Sequence, residues 1–255
     1  MKFGLLGKEI SYSKSPAIFK HIKEHTEMTL TYDLFDIEKD EIKDYIEHLR
    51  KGNLDGLQVT KPFKEAVIQH CDKLTETAKK IGSVNTIYYR DNLVIGDNTD
   101  AYGFQQLLHQ YAIDLNHKYV CIFGNGGASK AVYHVCENHQ VTPTIFKRPN
   151  SLKEQISPLE SHYEDDIILK CEVIIQATSH NFNETFIQRL KDLGCQPETI
   201  IDLMYHQKTN VMSLGKQAYD GKLMLMYQAI RSFELFTNQK MNHINPLVEK
   251  MKGVL

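Results

Sequence analysis

The sequence predicts an α/β fold in two domains, built mainly on parallel sheet. Three observations carry that prediction. Strand-like apolar runs alternate with helical spacing from the first residues onward. A hairpin pattern at 84–95 interrupts the alternation. The alternation restarts at residue 119, where an apolar strand runs into a glycine turn and a helix. The interruption predicts two sheets rather than one. No Gly/Ser-rich linker separates them, so the junction is expected in the helix Asp100–Tyr111.

Each element has a local reason. Lys2–Leu6 reads as a strand, and Ser15-Pro16 opens a helix with Ser as N-cap and Pro at its first position. Ile18, Phe19 and Ile22 follow at helical spacing. Thr31–Ile37 is a second strand, and Asp40–Lys51 an amphipathic helix stopped at Gly52. Leu54–Thr60 is a third strand, ended by Lys61-Pro62. Helices near Phe63–His70 and Leu74–Ile81 precede a hairpin of Val84–Tyr89 and Leu93–Ile95 around Arg90-Asp91-Asn92. In the second half, strands are expected at Tyr119–Phe123, Pro143–Phe146, Val173–Ala177 and Thr199–Met204. Helices are expected from about Ala128 to Asn138, at Leu223–Asn238 and after Asn245-Pro246.

Composition narrows the class. The 255 residues are 42% hydrophobic and 24% charged, with a formal net charge of −2, which is ordinary for a globular protein and lacks the basic excess of a nucleic-acid binder. No run of about 18 apolar residues predicts a transmembrane helix. The N-terminal apolar run is too short for a signal peptide, so a cytoplasmic protein is expected. Cys71, Cys121, Cys136, Cys171 and Cys195 sit among apolar residues, with neither a disulfide framework nor zinc spacing, and read as small buried side chains. The histidines are scattered, and no metal site is expected.

The strongest local signal is Tyr119 to Ala131, an apolar strand followed by Gly124-Asn125-Gly126-Gly127-Ala128 and a helix. Gly124 permits the tight turn. Gly126 lets backbone approach a pyrophosphate, and the helix N-terminus offers N–H groups and positive dipole. Ser129 is small enough for close helix–strand packing. In this context the pattern reads as the phosphate turn of a Rossmann-type domain, in preference to an ordinary strand–turn–helix junction. An NAD binder carries Asp or Glu about 20 residues on; here Lys147-Arg148 suits a 2′-phosphate, so NADP(H) is the expected cofactor.

Four polar clusters lie at strand ends in the first hundred residues: Ser13-Lys14-Ser15, Gln58 to Lys64, Val84-Asn85-Thr86 and Gly96 to Asp100. Taken singly, each is better explained as a cap or a turn. In an open α/β sheet such ends converge on a small polar ligand. Together with the glycine loop, these motifs resemble the shikimate dehydrogenases over nearly the whole chain. The family's opening signature is similar to Leu6-Gly7 with Tyr12-Ser13-Lys14-Ser15-Pro16. Its Asn-Val-Thr-x-Pro-x-Lys appears as Gln58–Lys64, and its Ala-Val-Asn-Thr as Ser83–Thr86. Its Gly-x-Asn-Thr-Asp-x-x-Gly is intact at Gly96–Gly103. Its Asp-x-x-Tyr is Asp202–Tyr205, and its Met-Leu-x-x-Gln-Ala is Met224–Ala229.

The resemblance implies NADPH-dependent reduction of 3-dehydroshikimate to shikimate, with Lys64 and Asp100 as the catalytic pair. It implies Ser13, Ser15 and Tyr205 at the substrate carboxylate, and Gln58, Thr60, Asn85, Asp100 and Gln228 near the ring hydroxyls. It implies Gly124, Asn125, Gly126, Gly127 and Ala128 at the pyrophosphate, and Lys147 and Arg148 at the adenosine phosphate. Thr178, Leu203 and Gly221 then fall near the nicotinamide half. The last helices are implied to fold back, giving domains of 1–100 with 239–255 (substrate) and 101–238 (NADP). A monomer or homodimer is implied. The chemistry agrees: hydride addition to a ketone leaves an alkoxide that needs a proton donor, and a Lys held by a carboxylate supplies one.

The chain departs from the family pattern at Gln58 for Asn, Tyr12 for His, Lys147 and Pro149 for Asn and Thr, and Gln207 for Pro. The loop Gln176–Asn181 lacks the family's Gly, and Tyr205–Gly221 is about five residues short. Two alternatives stay open on these grounds. One is a quinate/shikimate or broad-specificity polyol dehydrogenase; the other is a non-catalytic NADP-binding homologue.

Overall fold

The computed structural model describes residues 1–146, 162–178, 181–182, 184–204 and 209–253. The chain divides into two compact units, Met1–Leu107 with Leu223–Leu255, and Leu108–Lys222.

The first unit carries a mixed sheet. Its strands are β1 (Lys2–Gly7), β2 (Thr31–Asp36), β3 (Gly56–Val59), β4 (Lys73–Leu74), β5 (Thr86–Arg90) and β6 (Leu93–Asp97), in spatial order β2-β1-β3-β5-β6-β4. β1 runs parallel to both β2 and β3, while β5 is antiparallel to β3 and β6. The β5–β6 turn is tight because Asp91 and Asn92 both adopt positive φ, 53° and 61°. As a result the end of β3, the start of β5 and the end of β6 share one edge: Gln58 pairs with Thr86, and Thr86 with Asp97.

Helices cover both faces of this sheet. On one face, Ile42, Ile46 and Leu49 of α2 (Ile42–Arg50) are buried and pack with Leu6, Leu57, Val59 and Ile87. On the other lie α1 (Ser15–Thr26), α8 (Lys222–Thr237) and α9 (Ile244–Lys252). Phe3 meets Phe233 edge-on at 6.0 Å and stacks on Phe236 at 5.0 Å. Burying each such ring contributes about 1.5–3 kcal/mol. Gly56 makes room, since a Cβ there would lie 2.2 Å from the Phe236 ring. The remaining helices are α3 (Glu76–Ile81), α4 (Asp100–Gln110), α5 (Gly127–Asn138), α6 (His162–Leu169) and α7 (Glu184–Asp192).

The second unit has an all-parallel sheet of β7 (Val120–Phe123), β8 (Thr144–Phe146), β9 (Val173–Gln176), β10 (Thr199–Asp202) and β11 (Gln217–Asp220), in order β8-β7-β9-β10-β11. The order reverses around β7, whose carboxyl end runs directly into the glycine turn. Phe123, Phe146, Phe182 and Phe186 anchor one face of its core.

Several expectations are corrected. Lys14, not Ser15, is the N-cap of α1, and Pro16 follows Ser15 inside the first turn. The region 63–70 forms only a short 3-10 turn at Ala66–His70, and Lys73–Leu74 pairs as a strand before α3. α6, β4 and β11 lie in stretches with weak or short periodicity, whereas α7, with Phe186, Ile187 and Leu190 on one buried face, is a helix the sequence expectation left out. The contact division puts 101–107 and 223–238 in the first unit, whereas the sequence reading has them in the second. Cys121 and Cys171, two of the five cysteines read as separate buried side chains, lie side by side, Cα–Cα 6.0 Å. Neighbouring strands β7 and β9 bring the two together across 50 residues of sequence.

Burial pushes the thiols of Cys71 and Cys136 up to about 12 and that of Cys195 up to about 11. Thiolate, the reactive form, is therefore scarce at neutral pH. These three cysteines are expected to react with a chromogenic disulfide reagent slowly in the native protein and rapidly once it is unfolded by denaturant. Fast native labelling of all three contradicts this.

Candidate active site

Lys64 and Asp100 meet at the shared edge of the first sheet. The loop after β3 is pinned by hydrogen bonds from Thr60 N–H to Leu6 carbonyl (2.8 Å) and from Val84 N–H to Lys64 carbonyl (2.8 Å). Phe63 is buried beneath it. This fixes the backbone from which the Lys64 side chain extends. Asp100 opens α4, where the helix dipole favours a carboxylate. Its N–H donates to Asn98 Oδ1 (3.1 Å), and Asn98 Nδ2 donates to Ser83 carbonyl (2.8 Å).

Lys64 Nζ donates to Asp100 Oδ2 at 2.6 Å, and Asn85 Nδ2 donates to Asp100 Oδ1 at 2.8 Å. The two carboxylate oxygens therefore take different donors, which fixes the plane of the group. Asp100 is buried, but the Lys64 side chain keeps 18% exposure. The Lys64 side chain is thus the more accessible of the pair, which suits a group that must give a proton to something arriving from outside. Asn85 is oriented in turn by Thr99 N–H, which donates to its Oδ1 at 2.8 Å.

Gln228 enters this network from α8. Its Oε1 accepts from Gln58 Nε2 at 2.8 Å, and more weakly from Asn85 Nδ2 at 3.4 Å. Thr60 sits beside Gly7, where a Cβ would lie 2.6 Å from Thr60 Cγ2. Ser13 and Ser15 form a hydroxyl turn at the start of α1, with Ser15 N–H donating to Ser13 Oγ at 3.2 Å. Lys64, Asp100, Asn85, Gln58 and Gln228 thus share one network, with Thr60, Ser13 and Ser15 at neighbouring ends of β3 and β1. Tyr205, Lys147 and Arg148 lie outside the described residues.

The network also includes Tyr32, Thr86, Thr99 and Ser232, none of which was singled out as a site residue. Thr86 and Thr99 stood inside recognised motifs. Ser232 had a readable signal, being four residues after Gln228 and so on the same helical face. Tyr32 had none, because it reads as an ordinary strand aromatic.

In the second unit, Gly124 has φ +123°, and a Cβ there would lie 2.8 Å from the Ala177 carbonyl oxygen. Gly126 is the N-cap of α5; among the described residues its ideal Cβ meets nothing within 4 Å and no side chain caps the helix. Ser129 Oγ donates to Gly124 carbonyl at 2.7 Å and so tightens the turn. Gly127 and Ala128 begin α5, and Asn125 is exposed. Space left open by the described residues over helix N–H groups, with no acid in the first turn, fits a pyrophosphate. Thr178 accepts from Gln176 Nε2 at 2.9 Å, and Gly221 packs against the Leu203 backbone, its ideal Cβ 2.8 Å from Leu203 Cα.

Comparison with known proteins agrees with this geometry. Residues 5–87 match the model of the shikimate dehydrogenase substrate binding domain. The chain is 30% identical over 248 residues to shikimate dehydrogenase (NADP(+)) of Clostridium beijerinckii, covering 92% of this chain and 91% of that one. The chain belongs to the shikimate dehydrogenase family. Its likeness to the Helicobacter hepaticus shikimate dehydrogenase (NADP(+)) is also 30%, over 99% of this chain and 97% of that one. The solved shikimate dehydrogenase 1 of Peptoclostridium difficile matches with TM-score 0.81 at 28% identity, covering 99% and 97% of the two chains. This shikimate dehydrogenase family member has, among its described residues, no helix long and apolar enough to cross a membrane.

Proposed function

We propose that the chain catalyses the reversible NADPH-dependent reduction of 3-dehydroshikimate to shikimate, within chorismate and aromatic amino acid biosynthesis. The observation that carries this reading is the Lys64–Asp100 pair, closed at 2.6 Å at the strand-end edge of a family member. In this reading the first unit binds substrate and the second binds NADP(H). Action in the cytoplasm, as a monomer or homodimer, belongs to the same proposal.

Bound NADPH supplies a hydride. Lys64 donates a proton to the oxygen that becomes the new hydroxyl, and its ammonium stabilises negative charge on that oxygen as the charge forms. Asp100 holds the ammonium in place and, with Asn85 and Gln228, meets the ring hydroxyls. Ser13 and Ser15 offer hydroxyls to the substrate carboxylate at the N-terminus of α1, where the dipole favours an anion. The family resemblance assigns Tyr205 to the substrate carboxylate. The Gly124–Ala128 turn holds the pyrophosphate, Lys147 and Arg148 hold the 2′-phosphate, and Thr178, Leu203 and Gly221 border the nicotinamide.

The test is absorbance of reduced nicotinamide with shikimate, then quinate, each with NADP⁺ and NAD⁺. The expected result is a kcat/KM at least about tenfold higher for shikimate than for quinate, and for NADP⁺ than for NAD⁺, since a site built around polar groups discriminates strongly. Equal or better turnover of quinate assigns the chain to the polyol alternative. NADP⁺ binding without turnover of either acid overturns the assignment.

A further inference from the structure

We propose that Tyr32 and Gln58 are positioning residues for Gln228, holding in place the amide that its contact with the Leu225 carbonyl orients. This rests on the reading above of Gln228 as a ring-hydroxyl partner. Gln58 is 2% exposed, and its amide is committed on both ends: Tyr32 OH donates to Oε1 at 2.6 Å, and Nε2 donates to Gln228 Oε1 at 2.8 Å and Ser232 Oγ at 3.1 Å. Both amide hydrogens are used, so Gln58 has no N–H left for a ligand.

The direction of every bond in this chain follows from one obligate acceptor. Gln228 Nε2 lies 2.9 Å from the Leu225 carbonyl, which only accepts. Turning that amide over would set two oxygens against each other. Gln228 Oε1 must therefore face inward, Gln58 must present Nε2 to it, and Gln58 Oε1 must face Tyr32, whose hydroxyl donates. The second N–H of Gln228 is what the arrangement leaves for a ligand, so the site offers a ring hydroxyl a donor.

Sheet geometry makes this reach possible. Tyr32 and Gln58 flank β1, at the levels of Phe3 and Leu5, which share a face. The two strands are about 9–10 Å apart, two strand spacings, so long side chains are needed to bridge them. The Tyr32 ring is held by stacking on Phe19 at 4.0 Å, which aims its hydroxyl. The glutamine at 58, one methylene longer than the family's asparagine, spans from this hydroxyl to α8.

The test combines Tyr32→Phe, Gln58→Leu and the double variant with two readouts. In turnover, Tyr32→Phe is expected to raise the shikimate KM about three- to tenfold, the effect of one hydrogen bond, with kcat within about twofold and the NADP⁺ KM unchanged. Gln58→Leu raises it further, and adding Tyr32→Phe to Gln58→Leu changes nothing more, because the second acts through the first. In solution NMR, Tyr32→Phe shifts the Gln228 side-chain amide signals of the protein without substrate. An unshifted Gln228 signal, an unchanged shikimate KM, or additive effects in the double variant each overturn the proposal. Should the wild type fail on shikimate, the assigned reaction falls and the NMR result alone decides the positioning role.

Discussion

Lys64→Ala is expected to lower the rate of hydride transfer about a hundred- to ten-thousand-fold, the range for removing a general acid, while NADPH binds as tightly as to the wild type. The fold should survive. Asp100 keeps the Asn85 donor at 2.8 Å and its place at the first turn of α4, so the carboxylate left behind is not stranded. Lys64 is also partly exposed, so water can occupy the space its side chain leaves. The measurement is kcat with shikimate beside calorimetric titration of NADPH and a melting curve. Wild-type turnover in the variant removes Lys64 from the mechanism. Lost NADPH binding means that the substitution has damaged more than the acid.

Gly124→Ala is expected to produce the complementary loss. At φ +123° a Cβ is strained by about 1–3 kcal/mol, and here it also meets a backbone carbonyl oxygen at 2.8 Å that no side-chain rotation relieves. The turn must open, carrying the α5 N-terminus with it, and NADPH affinity should fall by at least tenfold, about 1.4 kcal/mol. Shikimate binding by calorimetry should persist, because its proposed partners other than Tyr205 belong to the other unit. Gly126→Ala is the informative companion. Its Cβ meets nothing within 4 Å among the described residues, so that variant should melt like wild type. If it nonetheless loses NADPH, the open space over α5 is where the pyrophosphate lies. If both variants bind NADPH normally, the glycine turn is only a turn.

Gln58, which stands where the family pattern has asparagine, and Gln176, which opens the departing 176–181 loop, have the same character in the structure. Gln58 and Gln176 are 2% and 0% exposed, and each spends its amide on protein partners: Gln58 on Tyr32, Gln228 and Ser232, and Gln176 on Thr178 and, at 3.8 Å, the Met204 sulfur. The longer side chain is therefore accommodated by hydrogen bonds rather than left as an unpaired buried amide, which would cost about 1–3 kcal/mol.

Local pattern was enough for the alternation of strands and helices, the tight Asp91-Asn92 turn, the glycine turn after β7 and Asp100 at the start of α4. Each depends on residues within a few positions of one another, through side-chain period, backbone φ or the helix dipole. Short elements such as β4 and β11 lack the length to show a period. The affiliation of α8 was equally invisible, since a helix with most of its residues buried does not announce which sheet will bury it. The partnerships around Gln58 join residues 26, 170 and 174 positions apart. No spacing rule connects them. They exist because β1 lies between β2 and β3 and because α8 returns to that face, and only the folded chain decides which amide end each partner meets.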